Sequence, residues 1–575
     1  MKKFILVVLA GFCMVLTACT DSSSDSPSQQ GADLVVYADI FTAEEADAEA
    51  IAVKDGKYIY VGERKGAEKF VDSRHTKVID RHGDGLVIPG CTEGHAHMIL
   101  AQEWAKLDLT GGNLEEIKTK IIDWRKKHPN DKQLIAFGLD DYFMRIHPAD
   151  INYAEELEKC APQIPILLND GSGHSMLANV TALKMAGLWK EKPTLRGGEF
   201  ELDRNNYPTG FVFDQAVPYM MQKALLVPSL DDEAVKKACQ AGVEELNRRG
   251  YTNYLDGWLN FLNDSTEYRF LHDMELTAYV AASYNIQSYD AQKYKEKVEH
   301  VSDFVKKFGN AHFNPAYIKL FVDGVTESMT GWLFTRYDDP IDPARPFGTQ
   351  IWTQEELNHI TSYANDRGIT IHAHTYGDAA CNAMINSHIS SDSKMRNIIA
   401  HARNITADDM ERIAKNGNMG VAENMIWHRA SEEYIKGLEQ VVPKGYVEGY
   451  PMKSFVEKGV RICSSTDAPA SEEIKGNIIN VLYVSVAGKH PEIPKEAAFF
   501  PHELLSVRQA LKALTIDGAW TLGIEHERGS VKVGKYADFV ILDKNVLTCP
   551  VDEIKDSHVE RTYFEGKCVY PKEIE

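Results

Sequence analysis

Apolar and polar positions alternate along this chain in two textures. Near both ends they form short runs with a period of two, broken by turn residues. Leu34-Val35-Val36 is one such run, and residues 51–62 read as a hairpin turning at Asp55-Gly56. Toward the other end, Gly529 to Asp538 leads into Phe539-Val540-Ile541-Leu542, and residues 561–570 read as a second hairpin. Neither end alone holds enough strands to bury a face. The pattern therefore predicts one small β-sandwich built from both ends, 33–86 plus 526–575. Between them, short apolar runs alternate with amphipathic helical stretches, the signature of parallel βα units. Eight runs qualify as strands: 87–93, 251–257, 277–284, 317–323, 369–374, 397–401, 419–424 and 460–467. Eight parallel strands predict an α/β fold, a (β/α)8 barrel over 87–525. A large insertion, about 98–245, follows the first run. It has apolar runs of its own at 134–138 and 164–168 and is long enough to be a subdomain over the barrel mouth. No period of 20–50 residues repeats, which argues against a solenoid.

The extreme N-terminus has a different pattern. Lys2 and Lys3 precede an apolar stretch from Phe4 to Leu16, too short to span a bilayer comfortably. Leu16-Thr17-Ala18-Cys19 resembles a bacterial lipobox, which implies a leader over 1–18 and a lipid on the Cys19 thiol. An ordinary signal peptide that happens to contain cysteine is the alternative. The Ser-rich segment 19–32 then reads as a tether. The expected location is the cell envelope, lipid-anchored outside the cytoplasm. The formal net charge of −21 disfavours nucleic acid and anionic lipid as partners. Beyond the leader and Cys19, the remaining cysteines are scattered, odd in number and lack a Cys-x-x-Cys pair. They are expected to be small buried hydrophobes rather than a disulfide framework.

Chemistry concentrates at the ends of the predicted strands. His95 and His97 follow the first run at i and i+2, on one face of a strand. Neutral imidazole is the commonest protein metal ligand. With 20 histidines in 575 residues such a pair is weak evidence alone. Lys319, His374, His401 and Asp467 strengthen it, because each sits near the C-terminal end of another predicted strand, where barrel active sites are built. Each has a bland reading. A lone strand-end histidine is more often packed and hydrogen-bonded than a ligand. Asp467 can cap a helix before Pro469. Lys319 can pair with Asp323 or Glu327.

Together these positions resemble the amidohydrolase superfamily, in the family 3 branch that includes N-substituted formamide deformylases. The segment Pro89-Gly90-Cys91-Thr92-Glu93-Gly94-His95-Ala96-His97 is similar to the family's opening Pro-Gly-Phe-Ile-Asp-x-His-x-His. Lys319 with Asp323-Gly324, His374 with Gly377-Asp378, His401, and Thr466-Asp467-Ala468-Pro469 match in order. In the insertion, Asp170, Gly171, His174 and Ser175 match loosely, followed by Asn179 and Ala182-Leu183; Gly529 to Asp538 matches the tail. Glu93 replaces the usual Asp, Ala400 a usual Glu, and His372 is an additional imidazole. The resemblance implies a dinuclear hydrolase of a small molecule, with zinc the expected metal. His95, His97 and Asp467 would hold one ion, His374 and His401 the second, and Lys319, as a carbamate, both. Asp467 would also move the proton, and His174 would touch substrate. An N-acyl or N-formyl amine is the implied substrate; cyclic amides, carbamates and lactones stay open. Two other readings stand beside it. One is a mononuclear deaminase or lactonase with Lys319 as a free amine. The other is a lipoprotein that binds a solute without turning it over. Trp104, Tyr142, Phe143 and Trp189 in the insertion read as its core before they read as a pocket.

Overall fold

The structure, a computed structural model, describes residues 31–572 except 82, 100–106, 108, 110–112, 140–150, 225–231, 261–264, 341–343, 430–431, 470–473, 494 and 496. The leader, Cys19 and most of the tether lie outside the described residues, as do Trp104, Tyr142 and Phe143.

Eight parallel strands form the centre: Cys91–Ala96, Tyr251–Asp256, Tyr279–Asn285, Phe313–Phe321, Thr370–Thr375, Ile398–His401, Gly420–Glu423 and Ile462–Ser464. Each pairs in parallel with its predecessor. Beyond the strand ends, the circle is drawn together by Asp467 N–H donating to His95 O at 2.8 Å and His97 N–H to Ala468 O at 2.7 Å. Helices connect the strands, and both sheet faces are covered, which explains the nearly unbroken apolar runs in sequence. Outward residues such as Ile318, Leu320, Ile371, Ala373, Ile399 and Val421 join the helices in the main core. Inward residues Leu255, Ala281, Tyr317, Ile398, Ala400 and Ala422 form a separate apolar plug with Ala519, Leu522 and Ile524. The connecting helix Tyr294–Phe308 shows how this works locally. Val298, Val301, Phe304 and Phe308 are buried at spacings of three and four residues, one stripe of a helix. The helix Gln354–Asn365 starts at a capping box made by Thr353 and Glu356.

One strand assignment is corrected. The run 87–93 is not a single barrel strand. Leu86–Pro89 pairs antiparallel with Phe539–Leu542 and belongs to the sheet of the chain ends, whereas Cys91–Ala96 opens the barrel. The run is continuously apolar because it is buried in both sheets, and periodicity cannot reveal a change of partner.

Strands from both chain ends join in one mixed eight-stranded sheet. It contains Leu34–Ile40, Ala48–Lys54, Lys57–Gly62, Lys77–Asp80, Leu86–Pro89, Phe539–Leu542, Val559–Phe564 and Lys567–Tyr570. Val36, Ile51, Val87, Phe539 and Ile541 share one apolar cluster across it. Between the first two barrel strands the insertion carries a five-stranded sheet: Leu134–Leu139, Ile166–Asp170, Ser175–Ala178, Gly198–Leu202 and Pro208–Asp214. Trp189 is half-buried and packs against the apolar cluster of this insert. The cysteines of the described residues form no disulfide, and five of them are buried. Among the described residues no helix is long and apolar enough to cross a membrane.

The barrel and the end sheet are tied by a partly buried ion network. Arg528 donates to both Asp538 and Glu565, and Glu565 also meets His312 Nε2 at 2.9 Å. Asp538 is buried, and removal of Arg528 leaves its carboxylate without the compensating cation. Arg528→Met is therefore expected to destabilise the fold by about 3–5 kcal/mol in urea denaturation. An unchanged midpoint would show that the network contributes little.

Candidate metal centre

The tips of the first and eighth barrel strands are stitched by a buried carboxyl group. Glu93 Oε1 accepts from His95 N–H at 3.1 Å and from Thr466 N–H at 3.0 Å. Burial pushes this carboxyl up to about 8. The bond places His95, His97 and Asp467 together. His95 Nε2 and His97 Nε2 lie 3.1 and 3.2 Å from Asp467 Oδ1. Gly257, just beyond the second strand, gives the imidazoles room. A Cβ there would stand 2.6 Å from His95 Cε1 and 2.7 Å from His97 Cε1.

The other predicted residues come to the same place. Lys319 Nζ on the fourth strand is 3.3 Å from His95 Nε2. The His374 and His401 rings are 4.4 Å apart, and His95 is 5.1 Å from His401. His95, His401 and Asp467 offer one ligand atom each, all within 4.8 Å of one another. His401 and Asp467 hold left-handed backbone conformations, φ 73° and 55°. Non-glycine residues keep such strain mainly where surrounding structure imposes it, often at functional sites.

Two observations test whether this set suits a cation. First, His401 Nε2 and Asp467 Oδ1 are buried without a hydrogen-bond partner. The short contacts of Asp467 to the two imidazoles are therefore close but not aligned as hydrogen bonds, as expected of atoms facing a common point. Second, the opposite faces of two rings are already committed. His401 Nδ1 bonds Asn424 Oδ1 at 2.8 Å, and His374 Nε2 bonds Gly324 O at 3.0 Å. Such outer bonds orient metal-binding imidazoles. The protonation states agree. Burial drives His95 and His374 well below the ordinary histidine range and His401 to about 3. Burial alone would raise Asp467, but His95, His97 and His401 hold it well below the usual carboxylate range. Burial lowers the Lys319 amine to about 7, so much of it is neutral near neutral pH. Neutral imidazoles and an ionised carboxylate are the forms that bind metal. The donor set fits divalent ions.

The bland readings of Lys319 and Asp467 are not taken up. Both Asp323 oxygens accept backbone N–H bonds, from Tyr376, Gly377 and Trp332, so Asp323 braces the fifth strand's exit rather than Lys319. Glu327 accepts from Tyr376 and Tyr434. Asp467 faces imidazoles, and the described helix that follows begins with Asn477 as its cap. His372 lies behind His95, its Nε2 3.0 Å from His95 Nδ1, and is not part of the ligand cluster. His174 reaches the centre from the insertion. Its ring is 4.6 Å from that of His374, and its Nδ1 is 3.0 Å from Asp214 Oδ1. Asp214 is seated on Gly324, where a Cβ would meet its carboxylate oxygens at 2.2 and 2.5 Å.

Several neighbours were not singled out in the sequence. Asn424 stands at the end of the seventh predicted strand, so the strand-tip rule could have found it. Asp214 is in the insertion, and nothing in its surroundings marks it. Trp427, whose ring stacks 5.8 Å from His401 with an interplanar angle of 5°, follows that strand in a short 3-10 turn.

Comparison with known proteins bears on the family and the fold. The YtcJ protein of Bacillus subtilis (strain 168) is 23% identical over 539 residues, 92% of this chain and 97% of its own length. An N-substituted formamide deformylase of Arthrobacter pascens is 23% identical over 572 residues, covering 94% of this chain and 98% of that one. The solved structure of an uncharacterized metal-dependent hydrolase from Pyrococcus horikoshii OT3 superposes with a TM-score of 0.65 at 19% identity, over 90% of this chain and 99% of that one. That likeness shows the shared fold. The family model described as Amidohydrolase family matches residues 77–570. This chain belongs to the amidohydrolase family and is a metal-dependent hydrolase acting on carbon–nitrogen bonds.

Proposed function

We propose that the chain hydrolyses the C–N bond of a small N-acyl or N-formyl amine at a dinuclear zinc centre. The observation that carries this reading is the convergence of His95, His401 and Asp467, with buried unpartnered ligand atoms on two of them. His95, His97 and Asp467 would hold one ion, and His374 and His401 the other. Lys319 would lie between them as a carbamate, its neutral amine adding to carbon dioxide with loss of a proton. That change converts an awkward buried amine into an anionic oxygen ligand. Bound divalent ions would supply Lewis acidity, polarising the scissile carbonyl and lowering the pKa of water.

The chain's own residues do the rest. Asp467 takes the attacking water's proton and returns it to the leaving amine. His174, held at Nδ1 by Asp214, stands on the insertion side and contacts the substrate. The name of the deformylase relative is what favours a formyl or acyl group. Part of the same proposal is the division of the chain into an end-sheet unit, which takes in the strand Leu86–Pro89, a barrel that opens at Cys91, and an inserted subdomain. So is attachment to the cell envelope through a lipid on Cys19.

A direct experiment uses soluble protein lacking residues 1–30, loaded with zinc and screened against amides, imides, carbamates and lactones. N-acyl or N-formyl amines are expected to turn over, with loss on chelation and recovery on adding zinc. Turnover confined to lactones or ring amidines would overturn the substrate class. Tight binding of an amide by metal-replete protein without cleavage would favour a solute-binding role instead.

A further inference from the structure

The fifth barrel strand carries two inward imidazoles, His372 and His374, in alternation with outward Ile371 and Ala373. Only His374 reaches the proposed ligand layer. His372 sits one layer deeper, beside Lys319 in the sheet register and fully buried. A buried polar side chain there is costly unless both of its ring nitrogens are used. Both are. Nε2 lies 3.0 Å from His95 Nδ1, and Nδ1 lies 2.9 Å from the buried Ser283 Oγ on the third strand. The His95 and His372 rings meet edge-on, at 82°.

The proton positions in this chain can be worked out from its far end. In the dinuclear reading His95 Nε2, 3.1 Å from Asp467 Oδ1, turns its lone pair toward the ion. That nitrogen then carries no hydrogen. The ring's single proton must sit on Nδ1 and be donated to His372 Nε2. His372 in turn carries its proton on Nδ1 and donates it to the Ser283 hydroxyl oxygen. In the reverse arrangement His372 would donate to His95, and the neutral His95 would keep a proton on Nε2. That would occupy the atom facing Asp467 and His401.

We infer that His372, braced by Ser283, is a positioning residue that holds His95 in the tautomer whose Nε2 is free to bind a metal ion. This rests on the dinuclear reading above, and it assigns a role to an imidazole that is not itself a ligand. The usual outer partner of a metal-bound histidine is a carboxylate, a backbone carbonyl or water, and its loss typically costs 10–100-fold in metal affinity. Here the partner is a second neutral imidazole, built into the barrel interior where water does not reach.

The test is zinc titration of metal-stripped protein against a chromophoric chelator, with stoichiometry measured in parallel. His372→Leu preserves bulk and removes the acceptor. It is expected to weaken one of the two zinc sites about 10–100-fold and leave the other unchanged. His372→Gln restores an acceptor oxygen and is expected to recover most of the loss. Ser283→Ala should weaken the same site by a smaller factor. A folded His372→Leu protein that binds both ions like wild type overturns the inference while the dinuclear reading stands. Should His372→Leu fail to fold, Ser283→Ala decides, and wild-type affinity in it overturns the inference. Failure of the wild type to take up zinc overturns both.

Discussion

Lys319→Ala is expected to abolish turnover, lowering kcat/KM by at least about 1,000-fold, and to lower bound zinc from two ions to one or none per chain. Lys319 is fully buried, the described groups near its amine include His95, Asp467, Asp256 and the Phe321 ring, and burial pushes it down to about 7. Its removal takes away a group that is expensive to bury, while opening a cavity in the barrel floor. These effects oppose each other, so the melting temperature of the metal-free variant should change little. A large loss of activity without unfolding would then come from the site. If Lys319 acts as an anionic oxygen ligand, a small carboxylate such as acetate should enter the cavity and restore part of the metal binding and the rate. Retained metal and rate in the variant would favour a one-ion centre with a free amine.

Asp467→Asn carries the second large effect. The substitution keeps the shape of the side chain and one oxygen, but removes the proton acceptor. General acid–base groups contribute about 100- to 10,000-fold, so kcat should fall by that order with KM changed much less. The neighbouring imidazoles hold Asp467 well below the ordinary carboxylate range, so it is ionised across neutral pH. Its loss cannot be recovered by raising the pH. Zinc content should stay above half of the wild-type value, because His95 and His97 remain. Near-wild-type kcat would remove Asp467 from the proton path.

The barrel was legible because each strand is buried on both faces and each tip carries a polar residue within an apolar run. Lys319, His374, His401 and Asp467 stood out for that reason, and the structure brings them to His95 and His97. The junction at Leu86–Pro89 was not legible, since an apolar run looks the same whichever sheet buries it. Asp214 was also hidden. It lies on the insertion's own five-stranded sheet, and only the three-dimensional approach of that insert to Gly324 puts it beside His174. The position of His372 depended on layer depth. Sequence spacing shows that His372 and His374 share a face, but not that one lies a layer below the metal-facing atoms. Asn424 lay within reach of the strand-tip rule, and its partner His401 Nδ1 supplies the reason for its position.

The most direct measurement is the metal content of active protein, read together with hydrolysis of an N-acyl or N-formyl amine on the same sample. Two zinc ions per chain are expected, lost with activity on chelation and regained with it when zinc is restored. Full turnover by protein holding less than one ion per chain would contradict a centre built from the tips of these strands.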